Sequence, residues 1–286
     1  MHRNRLKRKE KTRTLTQLVF LILFNGYLKG YMDGKIYNGA LKNICVPVLN
    51  CHSCPGAFGA CPLGALQAEL GKGRVPLYTA GFLFVFGAVF GRIICGFMCP
   101  FGFLQDILGK IKKRKVLVPQ WTDKVFRKVK YIILIFIVVI LPFVFSDNVP
   151  IFCKYLCPSG TLEAGIFHVA ENDYLKKLIG VLFSWKMGIL FLVILGSVFI
   201  ERFFCKYLCP LGALYSFFNK ISIVHMTVDE GKCTQCDACV KVCPMGVDVK
   251  NNINSFECIR CGKCVNECGG GCIGFFEKTL EKSMRV

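Results

Sequence analysis

The chain has 286 residues, 53% of them hydrophobic, with 37 Lys and Arg against 18 Asp and Glu, a formal net charge of +19. The hydrophobic share is high for a soluble domain, and 19 cysteines are too many for a plain membrane bundle. The basic residues fall in blocks beside apolar stretches, which points to membrane topology rather than to nucleic acid. Cysteines grouped as CxxC and CxxxC in a chain of this size read as metal ligands rather than disulfides.

In chain order, Met1 to Arg13 is too basic, and the adjoining stretch too poor in small residues, for a cleaved secretory signal, so Leu15 onward reads as a retained helix. A helical span needs about 20 mostly apolar residues. Four stretches are candidates: Leu15 to Met32, Pro76 to Cys95, Tyr131 to Phe145, which is short unless flanking residues extend it, and Met187 to Phe204, which should start earlier. Lys and Arg crowd the N-terminal arm and the segment from Lys110 to Lys130, so both should be cytoplasmic. The loops from Asp33 to Val75 and from Ser146 to Lys177 are poorer in unbalanced positive charge and should face outward. The expectation is a multi-pass protein of the cytoplasmic (inner) membrane with both termini in the cytoplasm. Its parts are a basic arm (1–14), a four-span membrane domain (15–220), a soluble cysteine-rich domain (221–276) and a tail (277–286).

The soluble part carries CTQCDACVKVCP from Cys233 and CIRCGKCVNEC from Cys258. Each is C-x2-C-x2-C-x3-C, the bacterial two-cluster ferredoxin run, in which the fourth cysteine serves the other cluster. Cys233, Cys236, Cys239 and Cys268 are assigned to one [4Fe-4S] cluster, and Cys258, Cys261, Cys264 and Cys243 to the second. Two complete copies favour cubane clusters over a zinc site. Gly269 stands where Pro244 follows the fourth cysteine of the first run, and Cys272 is extra. Cys272 is either an unligated thiol or a competitor of Cys268.

Upstream, CPLGAL begins at Cys61, CGFMCPFGFL at Cys95, CKYLCPSGTL at Cys153 and CKYLCPLGAL at Cys205. Cysteines four apart share a helical face, Pro suits the first helical turn, and a helix start stabilises negative charge. The motif therefore presents two thiolates at a helix start, fit for further Fe-S clusters. GRIIC precedes one motif as ERFFC precedes another, so the membrane part reads as two internal repeats, each with two spans and two motifs. Cys95, Cys99, Cys205 and Cys209 form an inner set. Cys153, Cys157, Cys61 and Cys54 form an outer set, with Cys51 as the alternative to Cys54, because Ala57 stands where the repeat would place a cysteine. Cys45 reads as spare, and His52 as a solvated loop residue. The expected fold is an α-helical membrane protein of four transmembrane helices in two repeats, followed by an α+β two-cluster ferredoxin domain.

These paired CxxxCP motifs followed by a twin ferredoxin run resemble the membrane iron–sulfur proteins of the NapH/NosR family, over roughly Leu15 to Phe276. The resemblance implies electron transfer between a cytoplasmic or membrane donor and a redox partner such as a flavinylated domain, a cytochrome or a reductase. The large extracytoplasmic flavin-binding domain of the NosR proteins has no counterpart here.

The leading expectation is an electron-transfer protein with no catalytic residue of its own, relaying electrons between cytoplasmic donors and a membrane or extracytoplasmic acceptor. The alternatives are a quinol dehydrogenase subunit and a cluster-based redox sensor or maturation factor. Glu201, Arg202 and Arg92, near span ends, are candidates for chemistry on quinol, but a Glu–Arg pair or snorkelling Arg supporting a cysteine loop is preferred. His2, His52, His168 and His225 are the only histidines and none is central in a span, which argues against a bis-His haem.

Overall fold

The computed structural model describes residues 2–112, 116, 118–145, 149–177 and 179–277. Lys113, Arg114 and Lys115 of the basic block, Asp147, and the expected tail beyond 277 lie outside the described residues.

Two helices among the described residues are long and apolar enough to cross a membrane, Trp121–Phe145 and Val181–Phe199. The first runs unbroken through a wide π-helical stretch, Ile133–Ile140, just before Pro142, whose ring nitrogen has no proton to give the preceding turn. Val116, ahead of this helix, donates to the Phe199 carbonyl that ends the second. Trp185, early in the second helix, donates through Nε1 to the Tyr155 carbonyl, which lies beyond the end of the first. The two helices are therefore antiparallel. Their outward faces leave Phe136, Phe143 and Phe191 between 52% and 66% exposed, a surface suited to lipid rather than water.

The other two expected spans take shorter forms. The apolar stretch after Pro76 is helical only over Leu77–Phe90, because Gly91 adopts a left-handed φ of 56° and turns the chain. A Cβ on Gly91 would also lie 2.7 Å from the Arg260 guanidinium. The first stretch lies in a helix from His2 to Asn25 that breaks before a short helix Leu28–Asp33. The four-span expectation thus rests on helices of unequal reach.

Each CP motif begins a helix. Cys61, Cys99, Cys157 and Cys209 sit in extended conformation immediately before Pro62–Gly71, Pro100–Ile111, Pro158–Gly160 and Pro210–Phe218, with proline in the first turn. Cys95, Cys153 and Cys205 ride on one-turn helices just upstream, Ile93–Phe97, Ile151–Tyr155 and Phe203–Tyr207. One apolar core joins Cys61, Cys95, Cys99, Cys157, Cys209 and Cys261, and so runs from the membrane helices into the ferredoxin part.

The ferredoxin part closes with two antiparallel strands, Val224–Val228 and Ile273–Glu277, paired from Val224 opposite Glu277 to Val228 opposite Ile273. Between them, the two cysteine runs repeat one local fold. Gln235 and Asp237 in the first, and Arg260 and Gly262 in the second, have positive φ at matching positions. These turns curl each run so that its first three cysteines line a common chamber.

Trp121 and Trp185 are 77% and 57% exposed near the starts of the two antiparallel helices. In single-tryptophan variants reconstituted in lipid, shallow brominated chains should quench each more than deep ones do. Equal quenching at all depths would remove the interfacial placement.

Candidate metal centres

Two chambers occupy the ferredoxin part. Cys233, Cys236, Cys239 and Cys268 line one, together with Cys272. Cys243, Cys258, Cys261 and Cys264 line the other, and Val249 is in the wall of both. Each chamber takes three cysteines from one run and the fourth from the other. Cys236 is exposed, so the first chamber is the one that opens to solvent. The Cys272 and Cys268 sulfurs are 3.2 Å apart.

Cys95, Cys99, Cys205 and Cys209 line a third, small chamber with Leu49, Phe101 and Phe204. All four cysteines are buried. This inner chamber abuts the second ferredoxin chamber backbone to backbone. A Cβ on Gly96 would lie 2.6 Å from the Ile259 carbonyl oxygen and 3.4 Å from the Cys261 Cα.

The fourth, outer chamber is larger, about 680 Å³, and is lined by Cys51, Cys61, Cys153, Cys157 and Cys45. It extends past the cysteines to His52, His168 and Lys186, and Leu49 walls both it and the inner chamber. Cys54, the cysteine preferred from sequence, lies off this chamber. Its sulfur is buried against the Tyr31 hydroxyl at 3.1 Å and Asn25 at 3.7 Å. Lys42 fixes that loop by donating to the Cys54 and Ala57 carbonyls. Cys51, the alternative, does reach the chamber: the Cβ position of Gly160 is 3.5 Å from the Cys51 sulfur and 3.9 Å from that of Cys157. Cys45, read as spare, also lines it, while His52 is exposed.

Reciprocal contacts hold the inner chamber. Arg92, three residues before Cys95, donates to the Cys205 carbonyl, and Arg202, three before Cys205, donates to the Cys95 carbonyl. Each half thus grips the other's first cysteine. Glycines 102 and 212 make room: a Cβ on either would meet the opposing guanidinium at 3.4 and 3.1 Å. Arg202 pairs with Asp106 (2.6 Å), which also holds Arg13, whereas Glu201 pairs with Lys263 at 3.2 Å. The expected Glu–Arg pair is therefore replaced by an Asp–Arg pair contributed from the other repeat. Burial works against the charge of Asp106, but Arg202 and Arg13 hold its carboxyl well below the usual range.

Arg92 also ties the inner chamber to the ferredoxin part, through the Phe256 carbonyl at 2.7 Å and the Glu257 carboxylate. Glu257 takes Lys130 at 2.5 Å as well. Burial opposes its ionisation, yet Arg92 and Lys130 hold its carboxyl below the ordinary glutamate value.

A further set of polar residues lies just beyond the CP motifs and escaped the sequence reading. The sixth residue after each CP cysteine is Gln67, Gln105, Glu163 or Tyr215. Gln67 accepts from the Phe152 N–H at 2.8 Å, Gln105 from the Phe204 N–H at 3.0 Å, and Glu163 from the Cys51 N–H at 2.8 Å. Each reaches across to the opposite half. Tyr215 is buried, and its hydroxyl has no hydrogen-bond partner among the described residues. The signal in the sequence was a polar residue recurring at one offset in otherwise apolar helices.

The donor sets fit iron–sulfur clusters. Among the described residues, no three His, Cys, Asp or Glu side chains converge as ligands of a single ion would. Cysteines instead line each chamber, five in the outer and first ferredoxin chambers and four in the other two, enough for the four ligands of a cubane. Burial pushes the Cys258 thiol up to about 12, with the neighbouring Cys261 and Cys243 adding to the effect.

Comparison with known proteins points the same way. Residues 75–119, 131–189 and 181–225 match a 4Fe-4S binding domain, and 225–269 match a 4Fe-4S dicluster domain. The chain is 33% identical to an uncharacterized protein of Methanocaldococcus jannaschii over 69% of this chain and 70% of the relative. It is 27% identical to the ferredoxin-type protein NapH of Haemophilus influenzae, over 90% of this chain and 85% of the relative. It is 26% identical to the regulatory protein NosR of Pseudomonas aeruginosa, over 65% of this chain but 24% of the relative. No solved structure matches.

Gly96→Val should destabilise the protein by about 1–3 kcal/mol, since the ferredoxin backbone has nowhere to yield. Gly188→Val, at a position with open space, should not. Thermal unfolding in detergent distinguishes them, and equal melting points would remove the backbone contact. The pairing of Glu257 contributes stability above about pH 4.3, the unfolded glutamate value, and this is lost as pH falls through its lower folded value. Proteolysis near residue 221 should therefore accelerate on acidification, and less so in Glu257→Gln.

Proposed function

The chain belongs to the NapH/NosR-type ferredoxin family, and on that premise we propose that it is a membrane-bound electron conduit with four cluster sites in sequence. The observation that carries this reading is the continuity of the four chambers. The two ferredoxin chambers share Val249, Gly96 lies on the Ile259–Cys261 backbone, and the inner and outer chambers share Leu49.

In this reading, Cys233, Cys236, Cys239 and Cys268 hold one [4Fe-4S] cluster, and Cys243, Cys258, Cys261 and Cys264 hold the next. Cys95, Cys99, Cys205 and Cys209 hold the inner cluster, and Cys51, Cys61, Cys153 and Cys157 the outer one. Bound clusters would supply one-electron chemistry. The chain supplies spacing, a dry apolar wall and buried cations that offset their negative charge. Four helices embed residues 15–220 in the inner membrane, the apolar end of the first (15–25) and Leu77–Phe90 reaching only partway. Both termini and the ferredoxin domain face the cytoplasm. The exposed Cys236 end meets a cytoplasmic donor, and the open outer chamber meets an extracytoplasmic flavinylated domain, cytochrome or reductase.

A quinol dehydrogenase reading has one feature in its favour, a polar cavity lined by Glu10, Asp106 and Glu201 behind Gln105. Each of those acids is already paired with a cation, Glu10 with Lys110, Asp106 with Arg13 and Arg202, and Glu201 with Lys263. None is left as a ready base, so the conduit is the preferred reading.

Iron and acid-labile sulfide in anaerobically purified protein test it. About sixteen iron per chain are expected, falling to about twelve in Cys153→Ala/Cys157→Ala and in Cys51→Ala but not in Cys54→Ala. About eight in the parent, unchanged in the variants, would sink the conduit.

A further inference from the structure

We infer that Gln67 and Gln105 are matched positioning residues that set the reduction potentials of the outer and inner sites through their amide N–H groups on Cys153 and Cys205. This rests on the reading that those sites hold clusters.

Both glutamines are buried, at 0% and 1% exposure, in helices that CP motifs begin. Each amide is held in one orientation by its neighbours. The oxygen accepts the backbone N–H of the residue just before the opposing cysteine, Phe152 for Gln67 and Phe204 for Gln105. Only a carbonyl oxygen can accept there, so the NH2 group faces the other way. It donates to the carbonyl four residues back, Leu63 or Phe101, and to the opposing thiol sulfur. The Nε2–sulfur distance is 3.1 Å for Gln105 on Cys205 and 3.7 Å for Gln67 on Cys153.

A donor on a ligating sulfur favours the more negative, reduced state of a cluster and so raises its potential. The shorter contact should matter more, which makes the inner site the more strongly adjusted. The equivalent positions in the second half cannot do this. Glu163 accepts from Cys51 N–H and Ser159 Oγ–H, and the Tyr215 hydroxyl has no partner among the described residues. Potential adjustment by this route therefore runs one way, from first-half glutamine to second-half cysteine.

Full-length protein in detergent, purified without oxygen, should be titrated potentiometrically by EPR, with iron counted in each sample. Gln105→Leu should retain iron and make reduction of one cluster about tenfold less favourable, a fall of about 59 mV for one electron. Gln67→Leu should lower a different midpoint by less, and the two ferredoxin midpoints should stay put. Gln105→Glu keeps the size and the acceptor for Phe204 but replaces the donor by oxygen, so it should hold iron and still lower the same midpoint. Full iron with every midpoint unmoved would overturn the inference and leave the conduit standing. Loss of iron from every Gln105 variant would also overturn it, by making the residue a structural wedge. A parent with about eight iron would instead remove the conduit reading itself.

Discussion

The structure depends on buried guanidinium groups that cross between its parts. Arg92 and Arg202 are among the largest fully buried side chains, and each ends on the carbonyl of the other repeat's first inner cysteine. A buried cation is costly unless it is paired and hydrogen-bonded. Here Asp106 and Glu257 provide the pairing, and carbonyls take the terminal N–H groups, while Arg92 Nε has no partner among the described residues. The arginines thereby fix the two inner motifs against each other. Arg260, in the second ferredoxin run, does the same for the joint with the membrane helices. It donates to the Phe90, Val224 and Asn219 carbonyls and to the Ser222 hydroxyl.

This gives the small residues of the motif a physical role. Pro starts a helix whose first N–H groups point at the cysteine sulfur, as Gly160 and Gly212 show by donating to Cys157 and Cys209. The glycine leaves room for what arrives from the opposite half. At the inner site that is a guanidinium, and at the outer site it is a sulfur, Cys51 beside Gly160 and Cys153 at 3.8 Å from the Cβ position of Gly64. One short sequence thus serves both sites with different neighbours.

The two sites also differ in character. The inner one is small, enclosed and flanked by arginine, and the outer one is open and bordered by His168 and Lys186. Placing an enclosed site mid-way and open sites at both ends suits a conduit, because solvent at a middle site would expose it to side reactions while its ends must meet partners. The apolar core that joins Cys61, Cys95, Cys99, Cys157 and Cys209 to Cys261 keeps that middle dry.

Composition, spacing and repetition within the sequence carried much of this. Two ferredoxin runs with fixed spacing, four CP motifs at helix starts and the GRIIC/ERFFC pairing are local patterns, because helix geometry and left-handed turns act over a few residues. Span length was less legible: Gly91 ends one helix early through its backbone conformation and the Arg260 contact, neither visible in hydropathy. The choice of Cys51 over Cys54 at the outer chamber, the arginine exchange and the glutamine contacts belong to tertiary structure alone. They join residues about 80 to 165 positions apart. Local sequence determines which groups can ligate or donate, and only the packing of the two halves of the upstream region on each other and on the ferredoxin part decides which of them meet.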